Sequence, residues 1–177
     1  MFAHRIATEA DIPALVALMD RAISGPLAEF LTPEQIAASR KLMGLDSQII
    51  ADRTYFIVER DGVLAGCGGW SRRITEYGGD HTPGRIPAQL TAGVDAARIR
   101  AMYTVPEFLR QGVGRLILGL CEAAARAAGY DRAELVATLG GEPLYRAAGY
   151  REIERFEDDR GGAPVPLVRM GKRLTAA

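Results

Sequence analysis

Residues 102–127, MYTVPEFLRQGVGRLILGLCEAAARA, leave the chain few ways to fold. The preceding alternation in ARIRAMYTV reads as a strand, and Pro106 ends it. EFLRQGVG then forms a bend, and RLILGLCEAAARAAG is an amphipathic helix closed by Gly129, with Leu116, Leu120, Ala124 and Ala127 on the expected buried face. Gly112 and Gly114 have no Cβ, so the backbone can approach a ligand closely while the first N–H groups of the helix point outward. The helix dipole, with Arg110 and Arg115 beside it, suits a pyrophosphate better than a lone carboxylate. The bend is not a P-loop, because no Lys-Ser/Thr follows. It also lacks the third glycine and downstream acid of a dinucleotide fingerprint, so ATP and NAD are disfavoured. Two glycines alone equally suit a bare strand-to-helix turn, and the surrounding sequence has to decide between these readings.

That surrounding sequence supplies layers. HRIAT suits a short strand, and Thr8 with Asp11 starts a helix over IPALVALMDRAI, whose Ile12, Leu15, Val16 and Met19 share a face. LTPEQIAASRKLMG is a second helix, with Thr32 as N-cap, Pro33 at the first position, Gln35 completing a capping box and Gly44 available as the stop. Asp61-Gly62 turns an antiparallel hairpin between Tyr55 to Glu59 and Val63 to Trp70. Downstream, RAELVAT is a strand, EPLYRAAG a short helix, and YREIERF pairs with VPLVRMGKRL. From Thr75 to Asp95 no period is visible, which marks either a functional lid or a disordered segment. The sum over residues 1–177 is a single α/β (α+β) domain with a mixed, mainly antiparallel sheet flanked by helices.

Charge and cysteine content narrow the partners. Lysine plus arginine and aspartate plus glutamate both number 22, so no overall field favours nucleic acid or an anionic membrane. Cys67 and Cys121 form no CxxC pair, and His4 and His81 have no metal-ligand spacing, so neither a disulfide framework nor a metal site is expected. The N-terminus turns acidic too early for a secretory leader, and no apolar run reaches the ~18 residues of a membrane span. The chain reads as cytoplasmic.

The run MYTVPEFLRQGVGRLILGLCEAAARAAGY, followed by LYRAAGY, resembles the GCN5-related N-acetyltransferases, the GNAT superfamily, over about residues 97 to 156. That resemblance implies a sheet split where the fourth strand diverges, forming an acetyl-CoA cleft. It also implies a pyrophosphate held by Leu109, Arg110, Gln111, Gly112, Val113, Gly114 and Arg115. Leu109 departs from the Arg or Gln usual at the first of these positions. Met102, Thr104 and Val105 would meet the pantetheine arm and the acetyl carbonyl, and Thr138 stands where many relatives carry Asn. Tyr145 corresponds to the family tyrosine, and a phenol beside the sulfur can protonate the leaving thiolate. The implied reaction is direct acetyl transfer, in a ternary complex, to a primary amine on a small molecule or peptide. A homodimer is left open. The competing reading is a non-catalytic acyl-CoA sensor.

The acceptor side is less legible. Glu107, Glu76, Asp80, His81 and Asp95 lie in or beside loops, and none declares itself the base. Arg98 and Arg100 alternate onto one sheet face, with Arg72 and Arg73 as neighbours. They form either a carboxylate-binding site or, as the more ordinary reading, a solvated basic face with acidic partners. Cys121 and Cys67 are expected to be inert, and Trp70 to belong to the core.

Overall fold

The computed structural model describes residues 1–174, so the last three residues of the single-domain reading lie outside it. In chain order the elements are β1 (Ala3–Ile6), α1 (Ile12–Ser24), α2 (Pro33–Leu42), α3 (Ser47–Ala51), β2 (Tyr55–Arg60), β3 (Val63–Ser71) and β4 (Ala97–Thr104). They continue with α4 (Val113–Ala127), β5 (Arg132–Thr138), α5 (Glu142–Ala147), β6 (Arg151–Asp158) and β7 (Val165–Arg173). One seven-stranded sheet runs β1-β2-β3-β4-β5-β7-β6, with β4 and β5 parallel and every other pair antiparallel. The fold is thus the mixed, mainly antiparallel sheet that the sequence implied. No helix among the described residues is long and apolar enough to cross a membrane.

Local signals start the elements where expected. The Thr32 hydroxyl accepts from Gln35 N and the Gln35 side chain accepts from Thr32 N, closing the capping box of α2. Asp61 and Gly62 both take positive φ, as a two-residue hairpin turn requires. α2 stops at Leu42, two residues before the glycine expected to end it.

The two larger cores lie on opposite faces of the sheet, and a third, small cluster among the described residues joins Ala38 to Val165 and Leu167. α4 covers Val58, Ala65, Ile99 and Leu135 on one face, whereas α1 and α3 cover Tyr55, Ile57 and Cys67 on the other. The period-2 alternation of β2 explains the division, because Tyr55 and Ile57 point one way and Val58 the other. Trp70 belongs to the α4 core, edge-on to Tyr130.

Three expectations need correction. In α4 the buried stripe is Val113, Ile117, Leu118, Cys121 and Ala125, offset from the expected Leu116, Leu120, Ala124 and Ala127. The cause is β3: a Cβ on Gly66 or Gly68 would stand 2.7 Å from Val113 Cγ1 or Ile117 Cγ2, so those glycines let this stripe press onto the strand. In α1, Val16 is 49% exposed, while Leu18, Ala22 and Ile23 join Leu15 and Met19 inside. The segment from Thr75 to Asp95 lacks period because it is held by irregular bonds. Its arms pair through Ile74 N to Ala88 O (2.9 Å) and Leu90 N to Arg72 O (2.7 Å). Its tip is tied to the end of α2 through Thr82 Oγ1 to Leu42 O (2.8 Å) and Asp80 N to Leu45 O (2.8 Å). A segment fastened this often is a wall rather than a free lid.

Candidate active site

β4 and β5 pair only at Ala97–Ala133 and Arg98–Glu134, and beyond that point they diverge. The opening is a cleft of about 130 Å³ between Ile99, Ala101, Met102 and Tyr103 on one side and Val136 and Thr138 on the other. α5, the Glu76–Gly78 wall and the end of α2 close it.

β4 carries a bulge at its centre. Cys67 pairs with Tyr103 and Gly69 with Arg100, so Ala101 and Met102 together face Gly68. Ile99 lies on the α4 face, and so does Met102, whereas Ala101 and Tyr103 lie on the α1 face. The inserted residue therefore resets the alternation and presents Met102 to the cleft. Ala101 takes φ +51°, in the left-handed region, and its carbonyl accepts from the Tyr55 hydroxyl at 2.7 Å.

After β4, Pro106 opens a single turn and the chain bends through Arg110 (φ +61°) and Gly112 (φ +86°) into α4. A Cβ at Gly112 would meet nothing within 4 Å, so this glycine serves the backbone conformation and leaves open space beside it. Gly114 has a different role: its Cβ would lie 2.9 Å from Leu144 Cδ2, so it lets α4 approach α5. Among the described residues, no acceptor is bonded to the amides of Gln111 through Arg115. These donors at the positive end of a 15-residue helix, with Arg110 and Arg115 exposed beside them, fit a phosphate or pyrophosphate.

Individual members of the expected set differ in what they present. The Leu109 amide donates to Pro106 O at 3.3 Å and its side chain is 40% exposed. Val113 offers only its amide, since its side chain is core. The Gln111 side chain is held by Arg60 at 2.9 Å and by Glu107 O at 2.8 Å. Thr104 stands near Gly114. Val105 turns away: its side chain is in the α1 core, its N–H donates to Ala65 O and its carbonyl accepts from Phe108 N. Thr138 lines the cleft, and its hydroxyl accepts from Gly141 N at 3.2 Å, fixing the turn into α5.

Tyr145, on α5, is 8% exposed and lines the cleft. The backbone after α5 folds back so that Tyr150 N donates to Tyr145 O at 3.0 Å, and the two rings meet edge to face at 6.0 Å. Burial pushes the Tyr145 phenol well above its ordinary pKa, so it stays protonated at neutral pH.

The arginines do not form a solvated basic face. Arg100 is 3% exposed and ion-paired with Asp46, which also accepts from Arg85 Nη2 at 2.5 Å. Arg98 pairs with Glu134, and Arg73 makes a bidentate pair with Asp52 at 2.6 and 2.7 Å. Of the loop acids, Glu76 lines the cleft, bonded to Arg169 at 2.8 and 3.2 Å. Glu107 pairs with Arg21, Asp80 with Arg85, and Asp95 caps Thr91 N. The thiols of Cys67 and Cys121 are buried, and burial pushes Cys67 up to about 12. Among the described residues no three His, Cys, Asp or Glu side chains gather to hold a metal.

Sequence reasoning missed Arg60, which reaches the glycine bend while stacked 4.0 Å over Phe2 and 5.3 Å from Phe108. No local pattern marks it, because its partners lie in distant segments.

Comparison with known proteins agrees with this geometry. A family model described as an acetyltransferase (GNAT) domain matches residues 51–152. Among curated proteins, none matches the sequence. Solved structures share the fold at low identity. A GCN5-related N-acetyltransferase from Rhodopseudomonas palustris superposes with a TM-score of 0.71 at 19% identity, covering 97% of this chain and 94% of that one. A ribosomal-protein-alanine N-acetyltransferase from Brucella melitensis gives 0.65 at 20%, covering 97% and 99%. The PaiA N-acetyltransferase of Thermoplasma acidophilum, solved with coenzyme A, gives 0.62 at 14%, covering 98% and 99%.

Proposed function

The chain belongs to the GNAT acetyltransferase family, and on that footing we propose that it transfers an acetyl group from acetyl-CoA directly to a primary amine, carried by a small molecule or peptide, in a ternary complex. The observation that carries this reading is the placement of Tyr145 in the cleft where β4 and β5 part. The unbonded amides of Gln111, Gly112, Val113, Gly114 and Arg115, with the charges of Arg110 and Arg115, fit the pyrophosphate. Met102, Thr104 and Thr138 border the path from that bend into the cleft. Val105 drops out, because its side chain and backbone are engaged elsewhere.

Acetyl-CoA supplies an activated thioester. Holding its distant phosphates lets binding energy position the thioester carbonyl against the amine, so the encounter becomes nearly intramolecular. A C–N bond forms and the C–S bond breaks. The amine's proton passes to solvent, and the Tyr145 phenol gives its own proton to the departing sulfur, to be reprotonated from water. An amide on the bulged strand meets the charge growing on the carbonyl oxygen.

Tyr145→Phe should lower the single-turnover rate of thiol release by about 100-fold, with coenzyme A affinity in calorimetry unchanged. Undiminished chemistry removes Tyr145 from the mechanism. A non-catalytic acyl-CoA sensor is the second reading, favoured by one observation: Glu76, the carboxylate lining the cleft, is already ion-paired. Coenzyme A binding without thiol release on any amine would select it.

A further inference from the structure

Two charged side chains line the cleft among the described residues, Glu76 and Arg100, and each already faces a counter-charge. Both Glu76 oxygens are held by Arg169, with Arg98 Nη1 at 3.9 Å. Arg100 is ion-paired with Asp46 and donates from Nη2 to Gly78 O at 2.7 Å. Much of the remaining wall is apolar, with Leu42, Met43, Ile99, Val136, Val165 and Leu167 prominent. A second ammonium entering this space would shed water and meet no unengaged carboxylate, and a carboxylate would meet only Arg100, whose charge Asp46 already balances although its Nε carries no hydrogen bond.

We propose that the acceptor is a primary monoamine with an apolar body and no second charge, and that Arg169 enforces this choice by keeping the Glu76 carboxylate engaged. The inference rests on the acetyl-transfer reading above and adds the substrate class. Arg169 sits on β7 behind the wall, where it also pairs with Glu154 and lies 5.1 Å from the Phe156 ring centroid.

Thiol release from acetyl-CoA, measured with phenethylamine and isopentylamine against spermidine, kanamycin and glutamate, tests the class on the unaltered protein. The monoamines should give a kcat/KM higher by about 100-fold. In Arg169→Gln, which releases Glu76, the ratio of 1,4-diaminobutane to isopentylamine kcat/KM should rise about 10-fold, and adding Glu76→Gln should cancel the rise. A preference of the unaltered protein for spermidine, kanamycin or glutamate overturns the inference and leaves acetyl transfer standing. Coenzyme A binding without thiol release on any amine overturns both. An unchanged ratio in a folded Arg169→Gln protein overturns the role given to Arg169.

Discussion

Tyr55 does not line the cleft, yet its hydroxyl holds the strand that does. It donates to the Ala101 carbonyl at 2.7 Å and touches Cys67 Sγ at 3.2 Å, with the ring fully inside the α1 core. Ala101, at φ +51°, occupies the left-handed region, which costs an L-residue about 1–2 kcal/mol. A conformation of that kind persists only where its surroundings hold it. Tyr55→Phe should therefore cost about 1–3 kcal/mol of stability by leaving a buried carbonyl without its donor. On the proposed reaction it should also lower kcat more than it raises the KM for acetyl-CoA, since the bulge sets the direction of the backbone proposed to meet the carbonyl. Adding Ala101→Gly removes the strain without restoring the bond, so it should recover kcat while stability stays low. Thermal denaturation and steady-state kinetics check this, and a stability loss with kcat untouched would make Tyr55 a structural residue only.

Among the elements, α4 separates what the sequence discloses from what it conceals. The bend, the two glycines and the helix after them are legible because each depends on neighbours within a turn or two. Tyr145 is picked out only by the resemblance of LYRAAGY to the family's segment, and the fold puts it in the wall of the cleft. The buried stripe is not, because α4 is apolar on adjacent stripes and its own residues cannot say which one meets the sheet. That choice is made by Gly66 and Gly68 on β3, a strand some 50 residues earlier in the chain. The same reasoning applies to Arg60, Asp46 and Glu76, whose roles depend on partners brought together only by the fold. Two glycine substitutions should therefore have opposite signs. Gly68→Ala places a Cβ 2.7 Å from Ile117 Cγ2 and should destabilise by about 1–3 kcal/mol. On the proposed binding mode it should also weaken coenzyme A binding, because displacing α4 displaces the amides at its start. Gly119→Ala, exposed in the middle of the same helix with nothing within 4 Å, should stabilise by about 1 kcal/mol. Urea denaturation of the two variants decides, and equal signs would mean that α4 is not seated by β3.

At the scale of the whole molecule, the cleft exists because the sheet opens between β4 and β5, and its far wall is the 72–90 segment tied across that opening. The ties are ionic as well as backbone bonds. Asp158 accepts from Arg160 and from the Tyr77 hydroxyl at 2.8 Å, and Arg160 also donates to Pro83 O at 2.8 Å, binding the β6 end to the segment. The Arg160 guanidinium, its backbone N–H and the Tyr77 hydroxyl hold the Asp158 carboxyl below its usual pKa against the opposing effect of burial. Asp52 is lowered in the same way by Arg73, at the base of the segment. A carboxyl whose folded pKa lies below its unfolded value of about 3.9 contributes stability that is complete above that value and is lost as pH falls through the folded pKa. Acid should therefore loosen this wall below about pH 4, before the cores on the two sheet faces give way. Amide exchange of Ile74, Thr75 and Thr82 should accelerate as the pH falls below about 4 by more than the intrinsic pH dependence of exchange, while amides of β2 and α4 stay protected. In Asp158→Asn the same amides should exchange faster already at pH 7 and show a smaller further change in acid, the part left to the Asp52–Arg73 pair. If wall and core exchange together, with or without Asp158, the segment is held by its backbone bonds alone and the ion pairs contribute nothing to keeping the cleft closed on that side.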